Sequence, residues 1–254
     1  MNRFTGKTAI ITGASSGIGA CTAKTLAAEG GNLVLAARHP KKLQAIAQEC
    51  SDLGAQVLTV CADVSKEADC TQLSQAAMDR FGAIDILVNN AGIADKHRPI
   101  DRLDVDWYRH VLEINQNSVL YMMQAVLPHM KEAGKGSIVN ISSIGAVRSN
   151  SGLAYTTAKT AVIGMSKNVA LEFAAGNIRV NVVCPGPTPT ALNTPEQIAT
   201  FDSDFAALCN SHMALDGVPQ CTVQDQANAI AFFASDESAG ITGQVLTVDH
   251  GMTI

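Results

Sequence analysis

The sequence predicts an α/β protein in which strands and helices alternate around a parallel sheet. Short apolar runs rich in β-branched residues, such as residues 8–12 and 32–37, indicate buried strands. Each run is followed by a longer stretch of helical character, and the strand–helix period of about 25–30 residues is typical of repeated βαβ units. A glycine-rich turn joins the first strand directly to an alanine-rich helix, which is a further sign of such a unit.

Length and composition fit a well-buried globular enzyme. The 254 residues suit one large α/β domain or two small ones, and without a linker we expect a single domain over residues 1–254, with an insert at about 187–223. Hydrophobic residues make up 47% of the chain and charged residues 16%. A net charge of −5, no basic run and few aromatic residues disfavour nucleic-acid binding.

No pattern indicates secretion or membrane insertion, so we expect a cytoplasmic protein. Apolar runs fall short of the ~18 residues of a membrane span, and the first residues lack the apolar core of a signal peptide. The seven cysteines are scattered without a CxxC pair, as expected for small core side chains in a reducing cytosol. The six histidines show no HxxxH or carboxylate cluster, so we expect no metal site.

Residues 13–19 (GASSGIG) lie between the first strand and a helix that extends to about Glu29. Glycines let the backbone approach a pyrophosphate, and a helix N-terminus offers N–H groups and a positive dipole. The GxxxGxG spacing differs from the GxGxxG of many dinucleotide sites. The alternative is a tight turn that binds nothing.

The end of the second strand indicates which dinucleotide would bind. An acidic residue there would bind the 2′-hydroxyl of NAD, but Ala37 occupies that place and Arg38 follows it. A guanidinium suits phosphate oxygens, and Ser15 could add a hydroxyl, so the sequence favours NADP(H) over NAD(H). Alternatively, Arg38 faces solvent, before a helix over about 41–53.

Two further strands, residues 56–61 and 85–88, are followed by polar residues. Asp63 after the third strand either accepts a hydrogen bond from an adenine amino group or caps the helix that extends to about residue 82. Residues 89–92 (NNAG) follow the fourth strand, and Gly92 would allow backbone to approach a ligand.

A long helical region over about 104–132 has a weak point at Asn115. Asparagine competes for backbone hydrogen bonds, and Asn117 follows closely. The functional interpretation is a local kink that holds Asn115, or a water, near an active site. The alternative is two solvated asparagines.

A serine pair and a tyrosine–lysine pair follow the fifth strand, residues 137–141. Tyr155 and Lys159 are four residues apart, so both lie on one face of a helix over about 154–175. A phenol has a pKa near ~10, and we expect the Lys159 ammonium to lower it. With a serine hydroxyl at the end of the strand, these groups form a proton-transfer device for a carbonyl or an alcohol. Taken alone, the pair could equally lie on an ordinary helix surface.

The sixth strand, residues 179–183, leads into a proline-rich stretch over residues 184–190 that we expect to form a rigid extended lip. Residues 191–222 are the least regular, and form either a mobile lid over an apolar pocket or a plain surface helical insert. Its apolar members are Leu192, Ile198, Phe201, Phe205, Leu208, Met213 and Leu215. A final helix over 224–235 and a seventh strand over 244–248 complete the chain.

In combination these motifs resemble the short-chain dehydrogenase/reductase family in its tyrosine-dependent, single-domain form. The resemblance spans nearly the whole chain. It rests on residues 12–19 (TGxxxGxG), residues 89–92 (NNAG), residues 155–159 (YxxxK), Pro185-Gly186, Asp63 and Asn115.

The resemblance implies a Rossmann-like, doubly wound, seven-stranded parallel sheet in the order 3-2-1-4-5-6-7. It implies that Tyr155 is the general acid and base, that Lys159 lowers its pKa and holds the nicotinamide ribose, and that Asn115 positions a water. It also implies a small carbonyl or alcohol substrate and a homotetramer or homodimer. The implied cofactor-binding residues are Gly13, Ser15, Ser16, Gly17, Ile18, Gly19, Arg38, Asp63, Val64, Asn90, Ala91, Gly92, Tyr155, Lys159, Pro185, Gly186, Thr188 and Thr190.

Departures from the family pattern leave two questions. The catalytic serine is Ser142 by its distance from Tyr155 and Ser143 by strand alignment. We favour Ser143, because a one-residue deletion in the loop is easier than a shift of a buried strand. His250 stands where the family usually has glycine, which affects the C-terminal packing. The sequence does not identify the substrate.

Overall fold

The computed structural model describes residues 2–211 and 217–254 and confirms the predicted sheet. Seven strands, all paired in parallel, lie in the order β3-β2-β1-β4-β5-β6-β7. The strands are β1 (Thr8–Thr12), β2 (Asn32–Ala37), β3 (Val57–Cys61), β4 (Ile86–Asn89), β5 (Gly136–Ile141), β6 (Ile178–Pro185) and β7 (Val245–Val248).

Helices connect the strands and cover both faces of the sheet. Those before the insert are α1 (Gly17–Ala28), α2 (Pro40–Asp52), α3 (Glu67–Phe81), α4 (Val105–Leu112), α5 (Ser118–Ala133), α6 (Ile144–Arg148) and α7 (Leu153–Phe173). Those in and after it are α8 (Pro195–Ile198), α9 (Ser203–Ser211) and α10 (Val223–Ala234). One apolar core unites α1, α2 and α10 with one face of the sheet, and a second unites α3, α5 and α7 with the other.

Burial on both faces explains why the strands are continuous apolar runs. All five residues of β1 are buried. Ile11 packs into the first core and Ile10 into the second, since successive side chains point to opposite faces of a sheet. A polar side chain at position 10 or 11 would lose its hydration without a partner, so the centre of the strand is apolar and its two threonines lie at the ends.

The predicted elements agree with the structure to within a few residues, with two differences. The long helical region is interrupted by one π-helical turn over Glu113–Asn117, the position of the predicted kink. The short helix α6 was not predicted. It begins at the Ser143 cap, whose hydroxyl accepts a hydrogen bond from the Gly145 N–H at 3.0 Å.

Parallel pairing brings the carboxyl ends of all the strands to one edge of the sheet. The loops that follow β1, β4 and β5 therefore emerge side by side at this edge. A ligand in an open α/β sheet binds at this kind of edge. In the part of the chain that is described, no helix is both long and apolar enough to cross a membrane.

Truncation of a central core residue tests this packing. Leu87 on β4 is fully buried, so Leu87→Ala should lower the free energy of unfolding by about 2–5 kcal/mol. The matched control Leu53→Ala changes a side chain that is 49% exposed and should cost less than about 0.5 kcal/mol. Chemical denaturation measures both, and equal losses would contradict the assignment of Leu87 to the core.

Candidate active site

Two adjoining clefts of about 480 and 470 Å³ open at the carboxyl edge of the sheet. They share Ile18, Asn90, Gly92, Ala94, Thr190 and Leu192. Predicted residues that line the first cleft also include Gly13, Ser15, Ser16, Gly17, Arg38, Asp63, Val64 and Ala91. Predicted residues that line the second also include Ser142, Ser143, Tyr155, Lys159, Pro185, Gly186 and Thr188. Gly19 and Asn115 line neither cleft and pack behind them.

The glycine-rich turn forms the floor of the first cleft. Gly13 and Gly17 have φ of +64° and +55°, the left-handed region that favours glycine. Ser16 is the N-cap of α1, but its side chain makes no capping hydrogen bond. The first N–H groups of α1 therefore donate to no capping oxygen of Ser16. They remain able to donate to a pyrophosphate in the cleft.

A set of hydrogen bonds fixes this turn to the loop after β4. The Thr12 hydroxyl accepts from the Asn90 N–H at 3.0 Å and the Ala91 N–H at 3.1 Å. In return the Asn90 amide donates to the Thr12 carbonyl at 3.0 Å. A Cβ on Gly13 would lie 2.9 Å from the Ala91 Cα, so only glycine permits this approach. Thr12 thus positions the site, a role that the sequence analysis missed.

The far rim of the first cleft is basic. Arg38, His39 and Lys42 all line it, and all three are exposed. Arg38 is predicted from the sequence, whereas Lys42, in the first turn of α2, is not. An exposed basic rim at the end of β2 can bind an anionic group without the desolvation cost of a buried charge.

Asp63 lies at the same cleft, but it is not the helix cap that one interpretation of the sequence proposed. Lys66 is the N-cap of α3. The Asp63 carboxylate instead accepts from the Ser65 N–H at 3.2 Å and the Ser65 hydroxyl at 2.7 Å. These hydrogen bonds, together with nearby Arg38 and Lys66, outweigh burial and lower the pKa of Asp63.

Asn115 ties the π-helical turn to the loop after β4. Its amide donates to the Ile93 carbonyl at 2.9 Å and accepts from the Ile93 N–H at 2.8 Å. A Cβ on Gly92 would lie 2.9 Å from the Asn115 side-chain oxygen and 3.6 Å from Lys159 Nζ. Gly92 therefore allows Asn115 and Lys159 to converge behind the cleft.

Tyr155 and Ser143 face each other across the second cleft. Their hydroxyls are close enough to hydrogen-bond, which favours the ionised form of Tyr155. Lys159 lies one turn further along α7, is 4% exposed, and donates from Nζ to the Ile141 carbonyl at 2.9 Å. Ser142 is turned inward instead, because its hydroxyl donates to the Lys159 carbonyl at 2.7 Å.

Burial dominates the electrostatics of this pair. It raises the pKa of Tyr155 above its usual value, and the hydrogen bond with Ser143 only opposes that shift. It also lowers the pKa of Lys159 to about 8. Lys159 Nζ lies 5.7 Å from the centroid of the Tyr155 ring, and a lowering of the Tyr155 pKa by its ammonium stays a prediction.

Asp95 is a second positioning residue that the sequence did not reveal. Its buried carboxylate accepts from the Tyr155 N–H at 3.1 Å, in the first turn of α7, and from the Lys96 N–H at 2.6 Å. A Cβ on Gly152 would overlap this carboxylate. An anion at a helix N-terminus satisfies free N–H groups and opposes the dipole, so Asp95 fixes the start of the helix that carries Tyr155.

The lip and the insert form the outer wall of the second cleft. The described part of the insert contributes Leu192, Ile198, Phe201 and Ala206 to the lining, so it covers the cleft rather than lying elsewhere on the surface. Phe201 stacks on His97, with ring centroids 4.2 Å apart. Met213 and Leu215, two of the predicted lid residues, lie outside the described residues.

An ion pair fastens the insert to the loop after β4. The carboxylate of Asp202 lies 2.9 Å from Arg102 Nη1, and the Asp202 N–H donates to the Lys96 carbonyl at 3.1 Å. The lip is also anchored, because Gly186 N–H donates to the Val248 carbonyl at 2.9 Å. A Cβ on Gly186 would lie 2.6 Å from the Asp249 Cβ, which leaves room only for glycine.

Comparison with known proteins gives matches over nearly the full length. A family model described as enoyl-(acyl carrier protein) reductase matches residues 13–253. A 7alpha-hydroxysteroid dehydrogenase of Bacteroides fragilis is 38% identical, covering 100% of this chain and 97% of its own. A cis-4-hydroxycyclohexanecarboxylate dehydrogenase of Sinomonas cyclohexanicum is 37% identical and covers 98% of each chain. The crystal structure of carveol dehydrogenase from Mycobacterium avium in complex with NAD is 30% identical, with a TM-score of 0.91 over 99% of each chain.

The pKa of Lys159 predicts a characteristic pH dependence of stability. Below pH 8 the lysine is protonated in both the folded and the unfolded protein. Between pH 8 and its ordinary value of 10.5 only the unfolded protein keeps the proton, so the free energy of unfolding should rise with pH. The difference in the free energy of unfolding between wild type and Lys159→Met should therefore grow by about 3 kcal/mol from pH 8 to pH 10.5.

Chemical denaturation at several pH values between 7 and 10.5 measures this difference, and groups common to both proteins cancel. Lys41→Met at an exposed position is the control, and its difference from wild type should stay constant. A constant or falling difference for Lys159→Met would show that burial does not govern this lysine.

Proposed function

Because the chain belongs to the short-chain dehydrogenase/reductase family, whose members act on hydroxyl and carbonyl groups, we propose that it is an NADP(H)-dependent oxidoreductase that interconverts a carbonyl and a secondary alcohol. The observation that carries this proposal is the Tyr155 hydroxyl beside Ser143 in the second cleft, which adjoins the first, with Lys159 buried behind it. The first cleft suits the adenosine and pyrophosphate of the cofactor, and the second suits its nicotinamide end together with the substrate.

We propose that Tyr155 gives its proton to the substrate oxygen in reduction and takes it back in oxidation. The Ser143 hydroxyl orients that oxygen, and the nicotinamide supplies or accepts the hydride when it is bound. Asp95 and Asn115 hold the first turn of α7 and the loop after β4, so they position these groups. Proton transfer from a fixed group of this kind contributes about 10²–10⁴-fold to a rate.

Hydrogen bonding supports Ser143 over Ser142 as the serine that faces the substrate. The Ser142 hydroxyl is committed to the Lys159 carbonyl at 2.7 Å and is 2% exposed. The Ser143 hydroxyl accepts a backbone N–H as the cap of α6, which leaves its own proton for Tyr155 or a substrate.

The basic rim supports NADP(H) over NAD(H). Arg38 and Lys42 line the first cleft beside the end of β2, and Ala37 supplies no carboxylate there. A 2′-phosphate in this place would meet two cations and the Ser15 hydroxyl. In this proposal the buried Nζ of Lys159 holds the nicotinamide ribose, and Thr188 and Thr190 of the lip contact the nicotinamide end of the cofactor in the same cleft.

We propose that the substrate carries its alcohol or ketone on an aliphatic ring. Two similar enzymes are named for ring-borne secondary alcohols, a hydroxysteroid and a hydroxycyclohexanecarboxylate. The second cleft suits such a ring, because Ile198, Phe201 and Leu192 supply an apolar wall opposite the hydroxyls of Tyr155 and Ser143.

We also propose a cytoplasmic homotetramer or homodimer. All seven cysteines are free thiols, in keeping with a reducing compartment. Large apolar side chains at the start of α5 and along α7 remain exposed, including Leu120, Leu153 and Leu171, and association of two copies would cover them. The rival functions are an NAD-dependent dehydrogenase that works in the oxidative direction and a dinucleotide-binding regulator without catalysis.

Substitution of the proposed acid tests catalysis. Tyr155→Phe should lower kcat at least about 10²-fold, because it removes the transferred proton and little else. Ser143→Ala should lower kcat strongly, whereas Ser142→Ala should retain most of it. Tyr108→Phe on α4 is the control and should be fully active.

The assay is oxidation of NADPH, and separately NADH, with cyclic ketones, oxosteroids, β-keto thioesters and keto-sugars. Cofactor binding by each variant, measured by fluorescence titration, separates lost chemistry from lost folding. Near-normal turnover by Tyr155→Phe would refute the proposed mechanism. Cofactor binding with no turnover of any substrate class would favour the regulator.

A charge reversal tests the cofactor. Arg38→Asp should weaken NADPH binding roughly 10–100-fold, because a charge-assisted hydrogen bond of about 1.5–3 kcal/mol is lost, and should leave NADH binding equal or tighter. Lys41→Asp makes the same kind of change three residues later at an exposed position outside the cleft lining, and should have little effect. If both variants lost the same NADPH affinity, or if Arg38→Asp kept the preference for NADPH over NADH, Arg38 would not be the residue that binds the 2′-phosphate.

A further inference from the structure

A cluster of side chains that could bind a metal lies between the start of α10 and the segment after β7. Cys221 offers a sulfur, Asp225 a carboxylate oxygen and His250 a ring nitrogen, and these three atoms all lie within 4.8 Å of one another. In residues 2–211 and 217–254 it is the one group of at least three His, Cys, Asp or Glu side chains so close together. We propose that Cys221, Asp225 and His250 bind a zinc ion.

The donor set matches the chemistry of zinc. Thiolate, imidazole and carboxylate are its protein ligands, at about 2.0–2.3 Å, so tetrahedral ligands stand about 3.3–3.8 Å apart. The Asp225 oxygen and His250 Nε2 are 3.8 Å apart already. Small side-chain movements bring Cys221 into the same shell, and water takes the fourth position. Magnesium and calcium prefer oxygen ligands alone, so a thiol and an imidazole disfavour them.

The backbone of His250 is strained. Its φ is +55°, a left-handed conformation that non-glycine residues rarely adopt. The chain therefore carries an imidazole at a conformational cost, and the ring lies beside Asp225.

Local hydrogen bonds hold the other two ligands in place. The Asp225 carboxylate accepts from the Thr222 N–H and hydroxyl, both at 2.7 Å, as part of a capping box at the start of α10. Cys221 is 2% exposed, and its N–H donates to the Pro187 carbonyl at 3.0 Å. A zinc ion would thus join the end of the insert, the first turn of α10 and the segment after β7, and would stabilise all three.

Metal content of the full-length protein tests the site. After loading with zinc and dialysis against metal-free buffer, wild type should retain one equivalent per chain. Cys221→Ser and His250→Gly should each retain at most a tenth of that. Cys61→Ser, which removes an exposed thiol outside the cluster, should retain the full equivalent. No retained zinc in wild type, or equal zinc in all four proteins, would overturn the proposal.

Two further measurements guard against misfolded variants. Cobalt in place of zinc should give a thiolate-to-metal absorption band in wild type and Cys61→Ser that is absent from Cys221→Ser. Zinc should raise the Tm of wild type and not that of His250→Gly, whose Tm without metal should be no lower than that of wild type because strain is relieved. A cobalt band in Cys221→Ser, or a zinc-dependent Tm in His250→Gly, would also refute the site. These readouts need no cofactor or substrate, so they are independent of the proposed reaction.

Discussion

Parallel pairing of β1 with β4 is the constraint on which the candidate site depends. The two strands lie side by side in register, with Ile11 opposite Val88, so the turn after β1 and the loop after β4 leave the sheet together. The Thr12 hydroxyl then closes the gap between them with two backbone hydrogen bonds. Because both loops are fixed at once, one wall serves the cofactor cleft and the substrate cleft. A change in this pairing would separate them.

A buried polar chain extends that constraint to the helix of Tyr155. The Asn89 amide on β4 donates to the Asn140 oxygen on β5 at 2.9 Å, and the Asn140 amide donates to the Ser166 hydroxyl on α7 at 2.8 Å. Buried polar groups of this kind are costly unless satisfied, so they specify one arrangement of the helix on the sheet. With Asp95 at the N-terminus of α7, the helix is held at two points along its length.

Burial of Tyr155 and Lys159 beneath these elements also sets the direction of their pKa shifts. Loss of hydration favours the neutral forms of both Tyr155 and Lys159. The basic rim at Arg38 and Lys42 differs, because it is exposed and retains its charge at little cost. The site therefore combines a dry region for proton transfer with a wet, cationic region for phosphate, and the clefts join the two.

Periodicity and motif spacing in the sequence determined the sheet, the strand boundaries, the glycine-rich turn and the Tyr155–Lys159 pair, because these depend on local residue patterns. Tertiary structure alone showed that the Ser142 hydroxyl is engaged by a carbonyl distant in the chain, that of Lys159. It alone revealed Asp95 beneath α7 and the cluster of Cys221, Asp225 and His250, whose members are brought together by packing. Burial raises the pKa of Tyr155, and burial depends on the whole fold, so it cannot be read from neighbours in the chain.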